Sequence, residues 1–174
     1  MFTELHWIDG PWPGRLAISA RPRGGDWLED ELMSWRAAGV TKVVSLLTPD
    51  EEEALGLERE KEASLDAGLS FVSFPIVDRS VPSSDEKATR LIEELDSDLT
   101  RGEHVAVHCR QGIGRSGLIA SAILVARGAA PEDATLQVSR ARGITVPETL
   151  RQILWIRDDF PKAWSAAGSH SGRR

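Results

Sequence analysis

The most distinctive pattern in the chain lies in the stretch Val105-Ala106-Val107-His108-Cys109-Arg110-Gln111-Gly112-Ile113-Gly114-Arg115-Ser116-Gly117. Its first three residues are apolar and predict a buried strand, and the apolar run at 118–126 predicts a buried helix. A strand that passes through glycines into a helix N-terminus forms an anion site, because backbone N–H groups and the helix dipole converge there. The sequence therefore predicts an anion-binding loop at this point.

The side chains of this loop suit phosphate-ester cleavage. Cys109 is the only cysteine of the chain, and a helix N-terminus with cationic neighbours favours the nucleophilic thiolate. Arg115 can grip two phosphoryl oxygens at once and stabilise the charge of the transition state. Ser116 is placed to hydrogen-bond the sulfur and stabilise it as a leaving group. Gly112 and Gly114 allow the backbone to curl closely around a dianion.

The same loop has a second interpretation. Gly112, Gly114 and Gly117 match the Gly-x-Gly-x-x-Gly fingerprint of dinucleotide-binding folds. That fingerprint also needs an acidic residue at a strand end about 20 residues further on. Here Glu132 and Asp133 lie at a predicted helix start instead. The sequence therefore favours the phosphate-ester site over a dinucleotide site.

The totals predict one soluble globular domain. The 174 residues are 41% hydrophobic and 28% charged, with a net charge of −6. The acidic balance argues against nucleic-acid binding, and no apolar run approaches the roughly 18 residues that span a membrane. The N-terminus lacks the pattern of a signal peptide. We expect a cytoplasmic monomer with one domain over residues 1–164 and a flexible C-terminal tail over 165–174.

Strands that alternate with helices predict an α/β fold, with a central twisted, mostly parallel sheet of four to five strands and helices on both faces. Residues 43–47 and 69–74 predict two of the strands. The acidic residues within 50–62 predict one or two exposed helices. Pro131 and Pro147 predict first-turn positions of two further helices. In this fold the phosphate-binding loop lies between a central strand and a buried helix.

These residues carry a family resemblance. Residues 108–116 resemble the signature of cysteine-dependent protein tyrosine phosphatases, and most of all that of the small dual-specificity branch. Residues 74–82 are similar to the general-acid loop of that branch, and residues 140–152 continue the resemblance, which covers roughly residues 40–160. The resemblance implies a phosphatase that uses no metal and no cofactor.

The resemblance also implies roles for single residues. Cys109 is the nucleophile, Arg115 clamps the transition state, and Ser116 assists release of the cysteine. Asp78 is the general acid, which protonates the leaving oxygen and later acts as base toward water. The residues expected to bind phosphate are Arg110, Gln111, Gly112, Ile113, Gly114 and Arg115.

Three residues have supporting roles in this hypothesis. His108 is expected to be a buried histidine that the backbone satisfies, and that orients the loop and tunes the thiol. Glu148 and Gln152 are the two candidates for positioning the hydrolytic water, and the sequence leaves the choice between them open.

The expected substrate is a phosphorylated protein or peptide that carries phosphotyrosine, with phosphoserine and phosphothreonine as further candidates. Of the variable loop positions Arg110, Gln111 and Ile113, only one is basic, whereas relatives that cleave phosphoinositides generally carry several cations there. Two alternatives stay open. One is a phosphatase for a non-protein ester, such as a phosphoinositide or an RNA 5′-phosphate, and the other is a catalytically silent phospho-binding module.

Overall fold

The computed structural model describes residues 1–171, and the side chains of residues 1–168. Within this range one sheet contains the strands β1 (Leu5–Ile8), β2 (Arg15–Ser19), β3 (Lys42–Ser45), β4 (Ser70–Ser73) and β5 (His104–His108). Their order across the sheet is β1-β2-β5-β3-β4. Strand β1 pairs antiparallel with β2, and the other pairs are parallel. The predicted α/β fold with a mostly parallel sheet is confirmed.

Strand β5 lies in the middle of the sheet because its apolar run is buried on both faces, as is typical of parallel strands. Its last residue, His108, lies beside Ser19 of β2 and Ser45 of β3. The carboxyl ends of three parallel strands therefore meet at one edge, and the loops that follow them cluster there. In an open α/β sheet this edge is where ligands bind.

Helices alternate with the strands along the chain. They are α1 (Leu28–Ala37), α2 (Pro49–Leu55), α3 (Glu60–Asp66), α4 (Asp85–Thr100), α5 (Gly114–Ala126), α6 (Pro131–Arg142), α7 (Leu150–Leu154) and α8 (Phe160–Ser171). A π-helical turn, Trp155–Asp159, joins the last two. Across residues 1–171 no helix is both long and apolar enough to cross a membrane.

The two faces of the sheet carry separate apolar clusters, which confirms helices on both sides. Val105 and Val107 of β5 pack with α4, α5, α6 and Phe160, whereas Ala106 packs with α1 and α3 on the opposite face. This alternation follows from the period of two in a strand. Helix α5 has buried side chains on nearly every side, so it firmly anchors the loop that connects it to β5.

Two predicted boundaries differ from the structure. Pro147 does not open a helix: it follows a cis peptide bond in a loop, and α7 begins at Leu150. The reason is that Thr149 and Gln152 form a capping box, which places the helix start after the proline. Helix α8 extends to Ser171, into the segment predicted as a flexible tail. Residues 172–174 of that segment lie outside the described residues.

The prediction of exposed helices in the acidic stretch is correct for the helices and wrong for the exposure of two of their glutamates. The stretch does form α2 and α3. However, the Glu60 side chain is only 1% exposed and that of Glu51 only 13%. Each of these carboxylates has a cationic or titratable partner in the Cys109 loop, which we define as residues 108–116.

Candidate active site

The Cys109 loop joins β5 to the N-terminus of α5, as the sequence predicts. Gly112 has a φ of +67°, and a Cβ atom there would lie 2.4 Å from the backbone carbon of Ser19. A side chain at this position would therefore clash with the end of β2. The backbone N–H of Arg21 also donates to the carbonyl of Arg110 at 3.3 Å. The segment after β2 thus forms one wall of the loop.

Cys109 and Ser116 lie together inside this loop. The Cys109 sulfur is 3.4 Å from the Ser116 hydroxyl oxygen, a hydrogen-bond distance for sulfur, and both residues are buried. The contact that the sequence predicts between the two side chains is present. A hydroxyl in this position can donate to a thiolate and stabilise its negative charge.

Arg115 is buried and held in one orientation by the Glu51 carboxylate and by the carbonyls of Leu46 and Ile76. Its Nη1 and Nη2 atoms form a bidentate pair with the Glu51 carboxylate at 2.7 and 2.8 Å, and Nη1 also donates to the Ile76 carbonyl at 2.8 Å. No described residue accepts from its Nε–H, whereas Nη2 also lies 3.2 Å from the Asp78 carboxylate. A phosphate that takes the place of this carboxylate can accept two parallel hydrogen bonds from the Nε–Nη2 edge of the guanidinium.

The charges near Arg115 offset the effect of burial on its pKa. Burial would lower the pKa of Arg115, but its hydrogen bonds to Glu51 and the charge of Cys109 raise that pKa above its ordinary value. Burial likewise raises the pKa of Glu51, but the hydrogen bonds from Arg115 and Thr48 hold the pKa below its ordinary value. Both groups are therefore ionised at neutral pH, as a stable ion pair requires.

Asp78 lies in the loop after β4, which we call the Asp78 loop (residues 75–82). Its carboxylate is 3.2 Å from Arg115 Nη2 and its side chain is 54% exposed. Together with Cys109 and Arg115 it lines a cavity of about 220 Å³, whose other lining residues are Arg79, Arg110, Gln111, Gly114 and Glu148. A thiol, a guanidinium and an accessible carboxyl group thus face one small, polar space.

A comparison with known families supports this geometry. The family model described as "Polymorphic toxin system, DSP-PTPase phosphatase" matches residues 19–129, which include both the Cys109 loop and the Asp78 loop. The chain belongs to this DSP-PTPase phosphatase family. The resemblance to cysteine-dependent phosphatases that the sequence indicates is therefore confirmed.

Curated relatives of this phosphatase chain are similar over about 70% of its length. Protein tyrosine phosphatase domain-containing protein 1 of Bos taurus is 28% identical over 132 residues, which cover 71% of this chain but only 16% of the bovine protein. Protein 197R of Invertebrate iridescent virus 6 is 35% identical over 126 residues, which are 70% of this chain and 45% of the viral protein. The chain therefore spans less than half of these relatives.

Solved structures share the fold over nearly the whole chain. The kinase associated phosphatase KAP, solved with its catalytic cysteine changed to serine, has a TM-score of 0.85 at 18% identity and covers 95% of this chain and 98% of its own. Tk-PTP in its active form has a TM-score of 0.74 at 27% identity and covers 93% of this chain and 99% of its own. PTPMT1 in complex with PI(5)P has a TM-score of 0.71 at 19% identity and covers 88% of this chain and 94% of its own.

His108 of the phosphatase is buried, as expected, but its main partner is a side chain. Its Nε2 atom is 2.7 Å from Glu60 Oε1, and its Nδ1 atom is 3.4 Å from the Cys109 carbonyl oxygen. The Trp35 ring packs at an angle of 63° to the imidazole, with 6.0 Å between ring centroids. The expected backbone contact of this histidine is present, and α3 adds Glu60, a side-chain partner that the sequence does not indicate.

The structure brings three supporting residues to the Cys109 loop that sequence reasoning did not assign. Glu51 and Glu60 approach from α2 and α3. Arg142, at the end of α6, donates from Nε to the Gly112 carbonyl at 2.8 Å and from Nη2 to the Gln111 carbonyl at 3.2 Å. For Glu51 the sequence carries a signal, since Thr48 and Glu51 form a capping box directly after a strand that neighbours β5.

The two candidates for positioning water occupy different places. Glu148 lines the cavity, and its carboxylate is 3.1 Å from Arg79. Gln152 is fully buried behind it. The predicted phosphate-binding residues Arg110, Gln111 and Gly114 line the cavity, whereas Gly112 and Ile113 shape the turn without lining it. Within the described residues no group of three or more His, Cys, Asp or Glu side chains is placed to hold a metal ion.

Proposed function

We propose that this chain hydrolyses phosphotyrosine in proteins through a cysteinyl-phosphate intermediate, with phosphoserine and phosphothreonine as further substrates. The observation that carries this proposal is the shared cavity of Cys109, Arg115 and Asp78 in a member of a phosphatase family. The same groups would have no common purpose in a structural cysteine site, because a buried thiol alone needs neither a guanidinium nor a carboxyl group.

In the first step the phosphoryl group enters the curl of the Cys109 loop. Backbone N–H groups and the Nε–Nη2 edge of Arg115 hold its oxygens, which stabilises the charge that spreads over them in the transition state. The Cys109 thiolate attacks phosphorus, and the bond from phosphorus to the ester oxygen breaks. Asp78 gives its proton to that oxygen, so that the leaving group departs as an alcohol or phenol.

In the second step water hydrolyses the cysteinyl phosphate. Asp78, now a carboxylate, takes a proton from the water as its oxygen attacks phosphorus. The sulfur–phosphorus bond breaks and its electron pair returns to Cys109 as a thiolate. Ser116, 3.4 Å from the sulfur, donates a hydrogen bond that stabilises this leaving group. Phosphate leaves, and the enzyme is ready for another cycle.

A second candidate substrate is a phosphorylated lipid headgroup. The observation that favours it is an apolar border of the site: Val77, beside Asp78, is 68% exposed and Leu150, close to Glu148 in sequence, is 70% exposed. PTPMT1, which shares the fold, was solved in complex with PI(5)P. Against this candidate stands the low number of cations in the loop, where Arg110 is the single basic residue between Cys109 and Arg115.

A substrate panel tests both candidates. The reduced protein is expected to turn over p-nitrophenyl phosphate and a phosphotyrosine peptide, with a higher kcat/KM for the peptide than for vesicles that contain phosphatidylinositol 5-phosphate. A preference for the vesicles would transfer the proposal to the lipid. No turnover of any substrate would leave a phospho-binding module instead. The expected cytoplasmic location and monomeric state stay predictions.

A further inference from the structure

Gln152 lies where three segments of the active site meet. Its Oε1 atom accepts hydrogen bonds from the backbone N–H groups of Glu148 and Thr149, each at 3.1 Å. Its Nε2 atom donates to the Ser80 carbonyl at 3.0 Å. A Cβ atom on Gly114, in the Cys109 loop, would lie 3.2 Å from both Nε2 and Oε1. One buried side chain thus touches the Cys109 loop, the Asp78 loop and the start of α7.

The partners of this amide settle which of its ends is oxygen. Two backbone N–H groups can only donate, and a carbonyl oxygen can only accept, so the oxygen faces residues 148 and 149 and the nitrogen faces Ser80. Both lone pairs of Oε1 are therefore occupied, and only one N–H of the amide is free. Asp78 and Glu148 line the cavity, where the hydrolytic water must lie, whereas Gln152 does not line it.

The Ser80 carbonyl lies at the end of the tight turn that carries Asp78. The loop turns tightly, since the Ser80 N–H donates to the Val77 carbonyl at 3.0 Å. Arg79, between Asp78 and Ser80, has a φ of +60°, a conformation that costs a non-glycine residue about 1 kcal/mol. A turn of this kind persists only where the surroundings hold it, and the Gln152 bond anchors its far end.

The other contacts across this junction are weaker. The Arg79–Glu148 ion pair joins side chains that are 62% and 34% exposed, and exposed pairs of this kind contribute little to stability. The Thr149 hydroxyl reaches the Arg79 carbonyl at 3.4 Å, at the long end of hydrogen bonding. Arg115 holds the beginning of this loop through the Ile76 carbonyl and the Asp78 carboxylate. The hydrogen bond from the buried Gln152 amide is therefore the main restraint on the far end of the turn, at Ser80.

We propose that Gln152 is a positioning residue for the general acid: its amide anchors the Ser80 carbonyl and so fixes Asp78 over the cavity. This inference rests on the proposed function and gives Gln152 a role other than orienting the hydrolytic water, for which it is one of two candidates. The two roles differ in the first step. A misplaced Asp78 slows departure of the leaving group as well as hydrolysis of the cysteinyl phosphate, whereas a misplaced water slows the hydrolysis alone.

The test compares two aryl phosphates in the variant Gln152→Glu. This change is nearly isosteric and retains an oxygen for residues 148 and 149, but it places an acceptor against the Ser80 carbonyl. Phenol is a poorer leaving group than p-nitrophenol and depends more on the acid. We expect kcat/KM to fall about tenfold or more for phenyl phosphate and less than about threefold for p-nitrophenyl phosphate. The ratio of the two values does not depend on how much of the protein is folded.

Two further variants sharpen the test. Gln137→Glu is the matched control, because Gln137 also donates its amide to a backbone carbonyl, that of Asp9, far from the cavity. It should leave the ratio unchanged. In the background of Asp78→Asn, Gln152→Glu should lower kcat/KM for phenyl phosphate no further, since there is no acid left to position.

Three outcomes would overturn the inference. Equal losses on both substrates would mean that Gln152 supports the fold in general. An unchanged kcat/KM for phenyl phosphate as well as for p-nitrophenyl phosphate, together with a burst of p-nitrophenol, would assign it to the water step alone, because kcat/KM reports only the steps up to leaving-group release. A wild-type protein that turns over neither substrate would reject the proposed function, and this inference with it.

Discussion

The Cys109 loop and the Asp78 loop face the same cavity but are held there by different means. Cys109 and Arg115 are 3% and 1% exposed, and charged partners from distant helices surround them. Asp78 is about half exposed. Arg115 holds the beginning of its loop, and the buried amide of Gln152 holds the far end. The difference follows from the chemistry, since the nucleophile must be fixed and shielded, whereas the acid must reach oxygens of many leaving groups.

This contrast predicts how damage at each loop will show itself. A change that loosens the Cys109 loop weakens phosphate binding and both chemical steps together. A change that loosens the Asp78 loop leaves phosphate binding intact and affects poor leaving groups most. The substitutions below are ordered by the expected size of their effect.

Cys109→Ser should have the largest effect. A serine hydroxyl is far less nucleophilic than a thiolate at neutral pH, so turnover should fall by a factor on the order of 10⁴ or more. Phosphate and vanadate should still bind with an affinity close to that of the wild type, because the loop backbone and Arg115 are unchanged. Steady-state kinetics and calorimetric titration measure the two effects, and retained activity would reject Cys109 as the nucleophile.

Asp78→Asn should lower kcat by a factor on the order of 10²–10⁴ for phenyl or alkyl phosphates. The loss should be much smaller for p-nitrophenyl phosphate in the leaving-group step, and phosphate affinity should stay within about twofold. The matched control is Asp85→Asn, since Asp85 bonds Trp155 away from the cavity. If an alkyl phosphate is hydrolysed equally fast by Asp78→Asn, another group must be the acid.

Glu51→Gln should lower the free energy of unfolding by about 2 kcal/mol in buffer without phosphate, because it leaves the buried guanidinium of Arg115 without its counter-charge. Saturating phosphate should reduce this loss, since the dianion binds the same guanidinium in the folded state alone. Urea unfolding measures both values. Glu53→Gln, at an exposed position of the same helix, should change the free energy of unfolding little. An equal loss in both variants would contradict the role of the ion pair.

The same pair predicts a dependence on pH. The pKa of Glu51 is lower in the folded state than in the unfolded chain. Its contribution to stability is therefore fully present above the unfolded-state value of about 4.3 and is lost as the pH falls through the folded-state value. The gap in unfolding free energy between wild type and Glu51→Gln should be constant from pH 7 to about 5 and should narrow in more acidic buffer. If this gap in unfolding free energy widens in acidic buffer, the pKa of Glu51 is not lowered by folding, and the ion pair does not act as stated.

Arg142→Gln should have the smallest effect. Its two hydrogen bonds to the Gly112 and Gln111 carbonyls fix the orientation of two peptide groups in the Cys109 loop. Their loss should weaken vanadate binding about fivefold, or roughly 1 kcal/mol. The ratio of kcat/KM for phenyl and p-nitrophenyl phosphate should not change. Arg140→Gln, an exposed arginine of the same helix, is the control, and equal effects of the two changes would rule out a specific role for Arg142.

The strand, the Cys109 loop and the buried helix were predictable because they are continuous in the sequence. The apolar run, the glycine spacing and the single cysteine all lie within about twenty residues, and local patterns of that kind determine their own structure. The position of Asp78 was predictable only through the family resemblance. Nothing local distinguishes a catalytic aspartate from one that forms a turn.

The partners of the loop could not be predicted in the same way. Glu51 lies 64 residues from Arg115, and Glu60 lies 48 residues from His108. In the sequence both belong to a run of acids typical of a solvated helix face. Which members of such a run turn inward depends on how α2 and α3 pack beside β5, and this packing leaves no local signal. The same holds for Gln152, whose partner Ser80 is 72 residues away.

The most direct test of the central claim is to trap the intermediate. Asp78→Asn should react with p-nitrophenyl phosphate, whose leaving group needs little protonation, but should hydrolyse the cysteinyl phosphate slowly because the base is missing. Rapid denaturation during turnover, followed by mass spectrometry of the peptides, should reveal a phosphoryl group on Cys109. Release of p-nitrophenol with no phosphoryl group on Cys109, or with one on another residue, would contradict the mechanism.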